Sequence, residues 1–262
     1  MRDCFRPERC QWRALGITAG VLISAGSLAA QRAPIGEPVR LPPDVVSLAC
    51  APTALAYEAP PTPLRVTGSQ HPTSHRTFAP GDLVTVNAGS ENGLDVGQEY
   101  YTRRAVPLAK GRIGRDNPAA IRTTGWIRIY AIDRRMSLAT IQHACDSVEL
   151  NDYLEPFALP ALPPVSAERL PAQRGNYGRV MTGPDNRTAV ARGDYFLVDR
   201  GSDHGVSVGA QFVVYRDRQE PGNFLFELGE AVAVTVAAES STLRVTLARN
   251  AFLAGDYVAL RK

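Results

Sequence analysis

Residues 81–104, "GDLVTVNAGSENGLDVGQEYYTRR", and residues 193–216, "GDYFLVDRGSDHGVSVGAQFVVYR", align without a gap at an offset of 112, with nine identities in twenty-four positions. Chance would leave about one or two, so the chain carries an internal duplication. The shared residues are mostly punctuation: Gly81 with Gly193, Asp82 with Asp194, Gly89 with Gly201, Gly93 with Gly205 and Gly97 with Gly209. The match resumes at an offset of 104, pairing Gly125 with Gly229 and "NDYL" (151–154) with "GDYV" (255–258). Upstream, "RVTG" from Arg65 answers "RVMTG" from Arg179. A unit of roughly eighty to ninety residues written twice must fold twice.

Within each copy the pattern is that of strands. Val84 and Val86 alternate with less apolar neighbours, Phe196 and Val198 take the same positions, and Val208, Phe212 and Val214 answer Val96, Tyr100 and Thr102. Period-two alternation bounded by Gly and Asn marks half-buried strands. "AVAVTVAA" and "STLRVTLA" form a further pair around a turn at Ala238–Ser241; only Met136–Ala144 also admits a helical reading. Gly89 and Gly93 flank a turn that positive φ would serve, Asn92 and Asp203 can bond back to their own backbone, and Gly97 and Gly209 suit a bulge or a close backbone approach. Five or six short strands per copy must close on themselves to hide their edges. The expected fold is therefore all-β, two tandem small barrels of SH3-like or compact-sandwich form.

Proline marks the boundaries. Pro34, Pro38, Pro42, Pro43, Pro52, Pro60, Pro61 and Pro63 precede the first copy, and Pro156, Pro160, Pro163, Pro164 and Pro171 separate the two. Proline withholds the donor a ladder needs and favours extended chain. The expected division is a leader at 1–30, a Pro-rich arm at 31–63, a first barrel at 64–158, a Pro-rich linker at 159–174 and a second barrel at 175–262. In the leader, Arg2, Arg6, Arg9 and Arg13 precede an uncharged run from Ala14 to Ala30 that ends in small residues, the form of a Sec-type signal peptide. That run is short and broken by Gly16, Gly20 and Gly26, whereas a bilayer span wants about 20 strongly apolar residues. A periplasmic or secreted protein with no integral span after cleavage is expected.

The formal net charge is +3, of which the leader holds +2 (four Arg against Asp3 and Glu8), leaving +1. Such a balance does not point to nucleic acid. Of four cysteines, Cys4 and Cys10 leave with the leader. Cys50 and Cys145 remain, and an oxidising compartment favours one bridge between them over two free thiols. The position matching Cys145 in the second copy is Arg249, so the cysteine is not required by the barrel itself. A bridge would clamp the arm across the first barrel.

The pattern G-D-x-h-x-h-x-x-G-S-x-x-G-h-x-h-G-x-x-h, as in "GDYFLVDRGSDHGVSVGAQF" with h apolar, resembles the small barrel repeats at the carboxyl end of flagellar assembly protein T. It is also similar to the paired barrels of the rod-shape protein MreC and to modules beside LysM domains in exported bacterial proteins. The resemblance covers both copies and neither the arm nor the linker. It implies a bacterial envelope protein built of scaffold-like modules. A LysM sequence and a preceding coiled coil are both missing here, so no partner carries over.

No constellation for chemistry stands out. "HPTSH" puts His71 and His75 four apart, but Pro72 argues for a loop, where that spacing does not place both on one helical face. His204 falls inside the repeated turn. No G-x-S-x-G, P-loop or dinucleotide fingerprint occurs, and no calcium-loop spacing. Asp82, Asp194, Asp152 and Asp256 recur at strand starts, where turns explain them better than acid–base work. No catalytic residue, metal or cofactor is expected. The longer middle connection of the first copy, 103–122, carries Arg103, Arg104, Lys110, Arg112, Arg115 and Arg122 against Asp116 alone, a net +5. It is the interaction candidate, or else a solvated hairpin. Trp126 and Tyr130 follow on one strand face, as core or as a stacking surface. The sequence thus reads as an exported, non-enzymatic envelope scaffold or protein-interaction module. The alternative is a binder of an anionic cell-wall or surface polymer through 103–122. An enzyme on a β scaffold ranks last.

Overall fold

The computed structural model describes residues 41–56, 64–70, 76–107, 119–159, 161–164, 168–183, 189–218 and 224–262. The leader, much of the Pro-rich arm, His71, His75, Lys110, Arg112 and Arg115 lie outside them. Seventeen strands and one short helix are described, and the protein is all-β as the alternation implied. Among the described residues no helix is long and apolar enough to cross a membrane.

The first sheet runs in the order β2 (Val66–Ser69), β4 (Leu83–Val86), β7 (Ser137–Ala144), β6 (Ala119–Ile132), β5 (Glu99–Pro107), β9 (Tyr153–Pro156), with β1 (Ala54–Ala56) added alongside β6. The second is a closed barrel, β10 (Gly178–Thr182), β12 (Tyr195–Val198), β15 (Ser241–Ala248), β14 (Leu225–Val236), β13 (Gln211–Asp217), β17 (Tyr257–Leu260). Strand for strand the orders correspond. In the barrel β10 pairs with β17. In the curled first sheet, the matching edges meet at an Arg65–Tyr153 bridge, where Leu154 N donates to Leu64 O (3.0 Å) and Val66 N to Asp152 O (2.9 Å). Two small ribbons also correspond: β3 (Thr77–Phe78) with β8 (Val148–Glu149), and β11 (Ala189–Val190) with β16 (Phe252–Leu253).

The cores follow the same plan. Val84, Val86, Leu94, Tyr100, Ile129 and Ile141 fill the first, and Phe196, Val198, Val206, Phe212, Ala233 and Val245 stand at the matching places of the second. Val208 does not join them: it sits in a turn and is 57% exposed. Met136–Ala144 resolves against the helical reading, since Ser137–Ala144 is β7, paired with both β4 and β6.

The repeated glycines divide their work differently from the expected division. Gly93 and Gly205 adopt φ of +79° and +77° at the ends of 3-10 turns, a conformation that favours glycine. The close backbone approach falls at Gly89 and Gly201 rather than at Gly97 and Gly209. A Cβ there would sit 2.1 Å from Asp133 O and 2.3 Å from Ala237 O. The first turn is also held by Asn92 Oδ1, which accepts from Gly89 N at 3.2 Å. In the second turn the side chain that reaches back is His204, whose Nδ1 accepts from Gly201 N at 3.3 Å.

The arm departs most from its expected extended form. Pro43–Ala49 is a helix, α1, with proline at its first position, where no amide donor is missed. Val46, Ala49 and Cys50 lie at helical spacing and pack with Tyr101 and Trp126 of the first sheet. Leu48 and Ala51 pack instead with Tyr195 and Val234 of the barrel. The arm is thus a wedge between the two. Thr242 Oγ1 of β15 donates to Pro52 O, and Thr53 N donates to Ile121 O of β6 at 3.3 Å. Direct contact adds Ala120 against Met181 and Leu197. The far end of the linker zips onto the barrel's last strand, with Gln173 N donating to Leu260 O (2.8 Å) and Lys262 N to Pro171 O (3.1 Å).

Candidate functional site

The basic connection 103–122 begins on β5 and ends on β6, and the described members of its charge cluster face inward to partners. Arg103 is 6% exposed. Its Nη1 donates to Thr123 Oγ1 (2.7 Å) and Thr53 Oγ1 (3.1 Å), its Nε lies 3.1 Å from Glu155 Oε2, and its guanidinium stacks over the Tyr101 ring at 4.4 Å. Arg104 grips Asp152 with two parallel bonds, Nε to Oδ1 at 2.6 Å and Nη2 to Oδ2 at 2.9 Å, and its Nη1 meets Glu149 at 2.7 Å. Hydrogen bonding and charge from Asp152 and Glu149 raise the Arg104 pKa against the opposing effect of burial. Arg122 pairs with Asp146. Trp126 is core, 3% exposed, stacked on His143 with centroids 4.5 Å apart.

The Arg104–Asp152 fork has a counterpart in the second half. Arg216 Nε donates to Asp256 Oδ1 (2.8 Å) and Nη2 to Oδ2 (2.7 Å). Asp152 and Asp256 also accept turn amides, from Glu149 N (2.9 Å) and Leu253 N (2.6 Å). Asp82 and Asp194 cap their own turns, accepting from Ala79 N and Ala191 N at 2.9 Å each. The carboxylates that recur in both halves are therefore held as turn anchors. A bidentate arginine fork fixes orientation as well as charge, and here it ties β5 to the turn before β9, and β13 to the turn before β17.

The disulfide joins Cys50, at the C-terminal end of α1, to Cys145, just past β7, with Cα atoms 5.5 Å apart and a sequence separation of 95. Around it lies a group the sequence reading did not assemble. His143 and Cys145 are two residues apart, so they share one face of the strand end, and the arm delivers Cys50 to that face. An imidazole nitrogen of His143 and the two sulfurs lie within 4.8 Å of one another. Burial lowers the His143 pKa, and the Trp126 ring stacks on its face. The signal was present in the comparison of halves: at offset 104 the counterparts of His143 and Cys145 are Leu247 and Arg249.

Where arm, sheet and barrel meet, a mostly apolar cleft of about 240 Å³ opens between Leu48, Ala51, Tyr101, Leu159 and Val234, with Arg103 on its wall. Comparison of the sequence with protein-family models and with curated proteins finds no significant match.

Proposed function

We propose that this chain is an exported, non-enzymatic bacterial envelope protein, formed by duplication of one barrel and acting as a scaffold or protein-interaction module. The observation that carries this reading is where the recurring polar residues go. Asp82 and Asp194, and the Arg104–Asp152 and Arg216–Asp256 forks, are spent on turns and strand anchoring within the fold. The arm supports it too, since α1 packs on both halves and makes one body of them. The hairpin between β13 and β14 offers a partner face, with Phe224 65% exposed and Arg218 lying 4.7 Å over the Phe226 ring. The polymer-binding reading would rest on Lys110, Arg112 and Arg115, because Arg103, Arg104 and Arg122 are engaged internally.

Affinity capture on envelope lysate and on purified cell-wall sacculi, each at low and high salt, separates the two. The scaffold reading expects one stoichiometric protein partner that survives high salt and is lost in a Phe224→Ser, Phe226→Ser variant. Salt-sensitive retention on sacculi, abolished when Lys110, Arg112 and Arg115 are neutralised, would overturn it in favour of the polymer.

A further inference from the structure

We propose that reduction of the Cys50–Cys145 bond turns Cys50, His143 and Cys145 into a three-coordinate site for a thiophilic monovalent cation, Cu(I). The chemistry starts from the donor set. Two thiolates and one imidazole are soft ligands, the kind that select copper(I) and zinc over hard, oxygen-seeking cations. Metal–sulfur distances of about 2.3 Å and metal–nitrogen distances of about 2.0 Å put ligand atoms sharing one ion roughly 4 Å apart. The two sulfurs, bonded to each other in the oxidised chain, both lie within 4.8 Å of a His143 nitrogen, so after reduction the thiolates need only part by side-chain rotation to share one ion with it. Zinc completes a four-ligand shell, with a fourth side chain in structural sites or with water where the protein supplies three donors; two thiolates and one imidazole in an apolar surround suit the lower coordination of Cu(I).

The setting is built around these residues. Trp126 stacks on His143 with an 18° interplanar angle, which fixes the ring. Ala49, Val46 and Phe157 complete an apolar surround. The site also belongs to one half alone, since Leu247 and Arg249 replace His143 and Cys145 in the other, and Cys50 lies with Val46 and Ala49 on the side of the arm that packs against Tyr101 and Trp126 of the first sheet. A barrel needing only packing at this face manages without either donor.

The redox step balances with a dithiol as reductant. Two-electron exchange opens the protein disulfide to two thiols, and the reductant leaves as its own cyclic disulfide, having supplied both protons. Metal binding then releases the two thiol protons to solvent.

The test uses the full exported chain, oxidised or reduced with dithiothreitol and freed of it without air. It is challenged with Cu(I) held as its coloured bicinchoninate complex, with Zn(II) as a comparison. The reduced chain is expected to withdraw one equivalent of Cu(I), with thiolate-to-copper absorption in the near ultraviolet, and the oxidised chain none. The His143→Leu variant, carrying the residue found in the second barrel, should bind at least about ten-fold more weakly. Circular dichroism follows the fold, and if the reduced apo chain loosens, Cu(I) should restore it. The proposal is overturned by uptake no greater than in a Cys50→Ser, Cys145→Ser variant, by unchanged uptake in His143→Leu, by preference for Zn(II), or by a loosened chain that Cu(I) leaves loose.

Discussion

Asp152 shows how much of this fold hangs on single polar side chains. It is 1% exposed, and around its carboxylate converge the Arg104 fork, the Glu149 amide and Thr124 Oγ1, which lies 2.8 Å from both Asp152 Oδ2 and Thr102 Oγ1. Removing the charge breaks the fork, leaving Arg104 with Glu149 alone and Arg216 without its Asp256 partner, so Asp152→Asn and Asp256→Asn should each cost about 2–3 kcal/mol. Urea denaturation measures this, and shifts under about 0.5 kcal/mol would show the forks to be ornamental. Tyr153 behaves oppositely. Its ring is buried, its hydroxyl finds no hydrogen-bond partner among the described residues, and burial, with help from Glu155, raises its pKa. The folded state holds the phenol proton more tightly than the unfolded chain, whose tyrosines ionise near pH 10. This contribution to stability is present below pH 10 and is lost as pH rises above it. Tyr153→Phe should therefore be neutral or slightly stabilising at pH 7 and should flatten the loss of stability at alkaline pH.

Among elements, α1 and the disulfide that ends it carry the clearest energetic consequence. Closing 95 residues into a loop contributes at most about 4–5 kcal/mol by the chain-entropy argument. Reducing the bond, or replacing Cys50 by Ser, should lower the unfolding free energy by up to that amount, read from the denaturant midpoint with Trp126 as reporter. The strands were legible before any coordinates, because alternation and glycine turns are local signals, and β12, β14 and β15 stand close to where the pattern put them. The helix was not legible. Its seven residues begin at one of two adjacent prolines, in a stretch whose proline content favours extended chain, and its order comes from packing on Tyr101, Trp126, Tyr195 and Val234, which no local pattern reveals. The same reason hid the fate of the basic connection. Arg103 and Arg104 were visible as charges, whereas Glu155, Asp152 and Glu149 reach them only through strand pairing some fifty residues away along the chain. The bridge itself was readable from cysteine count and compartment, but His143 beside it was not, since that contact needs the arm to fold back.

For the whole molecule, one strand order used twice implies matched hydrogen-bond networks, and hydrogen exchange of the folded chain reads them directly. Gly81 N and Gly193 N donate to Ile141 O and Val245 O, Gly97 N and Gly209 N to Ile129 O and Ala233 O, and Val66 N and Val180 N to Asp152 O and Asp256 O. Amides bonded inside cooperative strand networks exchange slowly, through sub-global or global opening. The measurement that tests the account most directly is thus residue-resolved amide exchange. The expected result is slow exchange in pairs, each protected amide of the first sheet matched by one at its counterpart in the barrel. Protection confined to one half, or scattered over positions without counterparts, would contradict the two-barrel architecture.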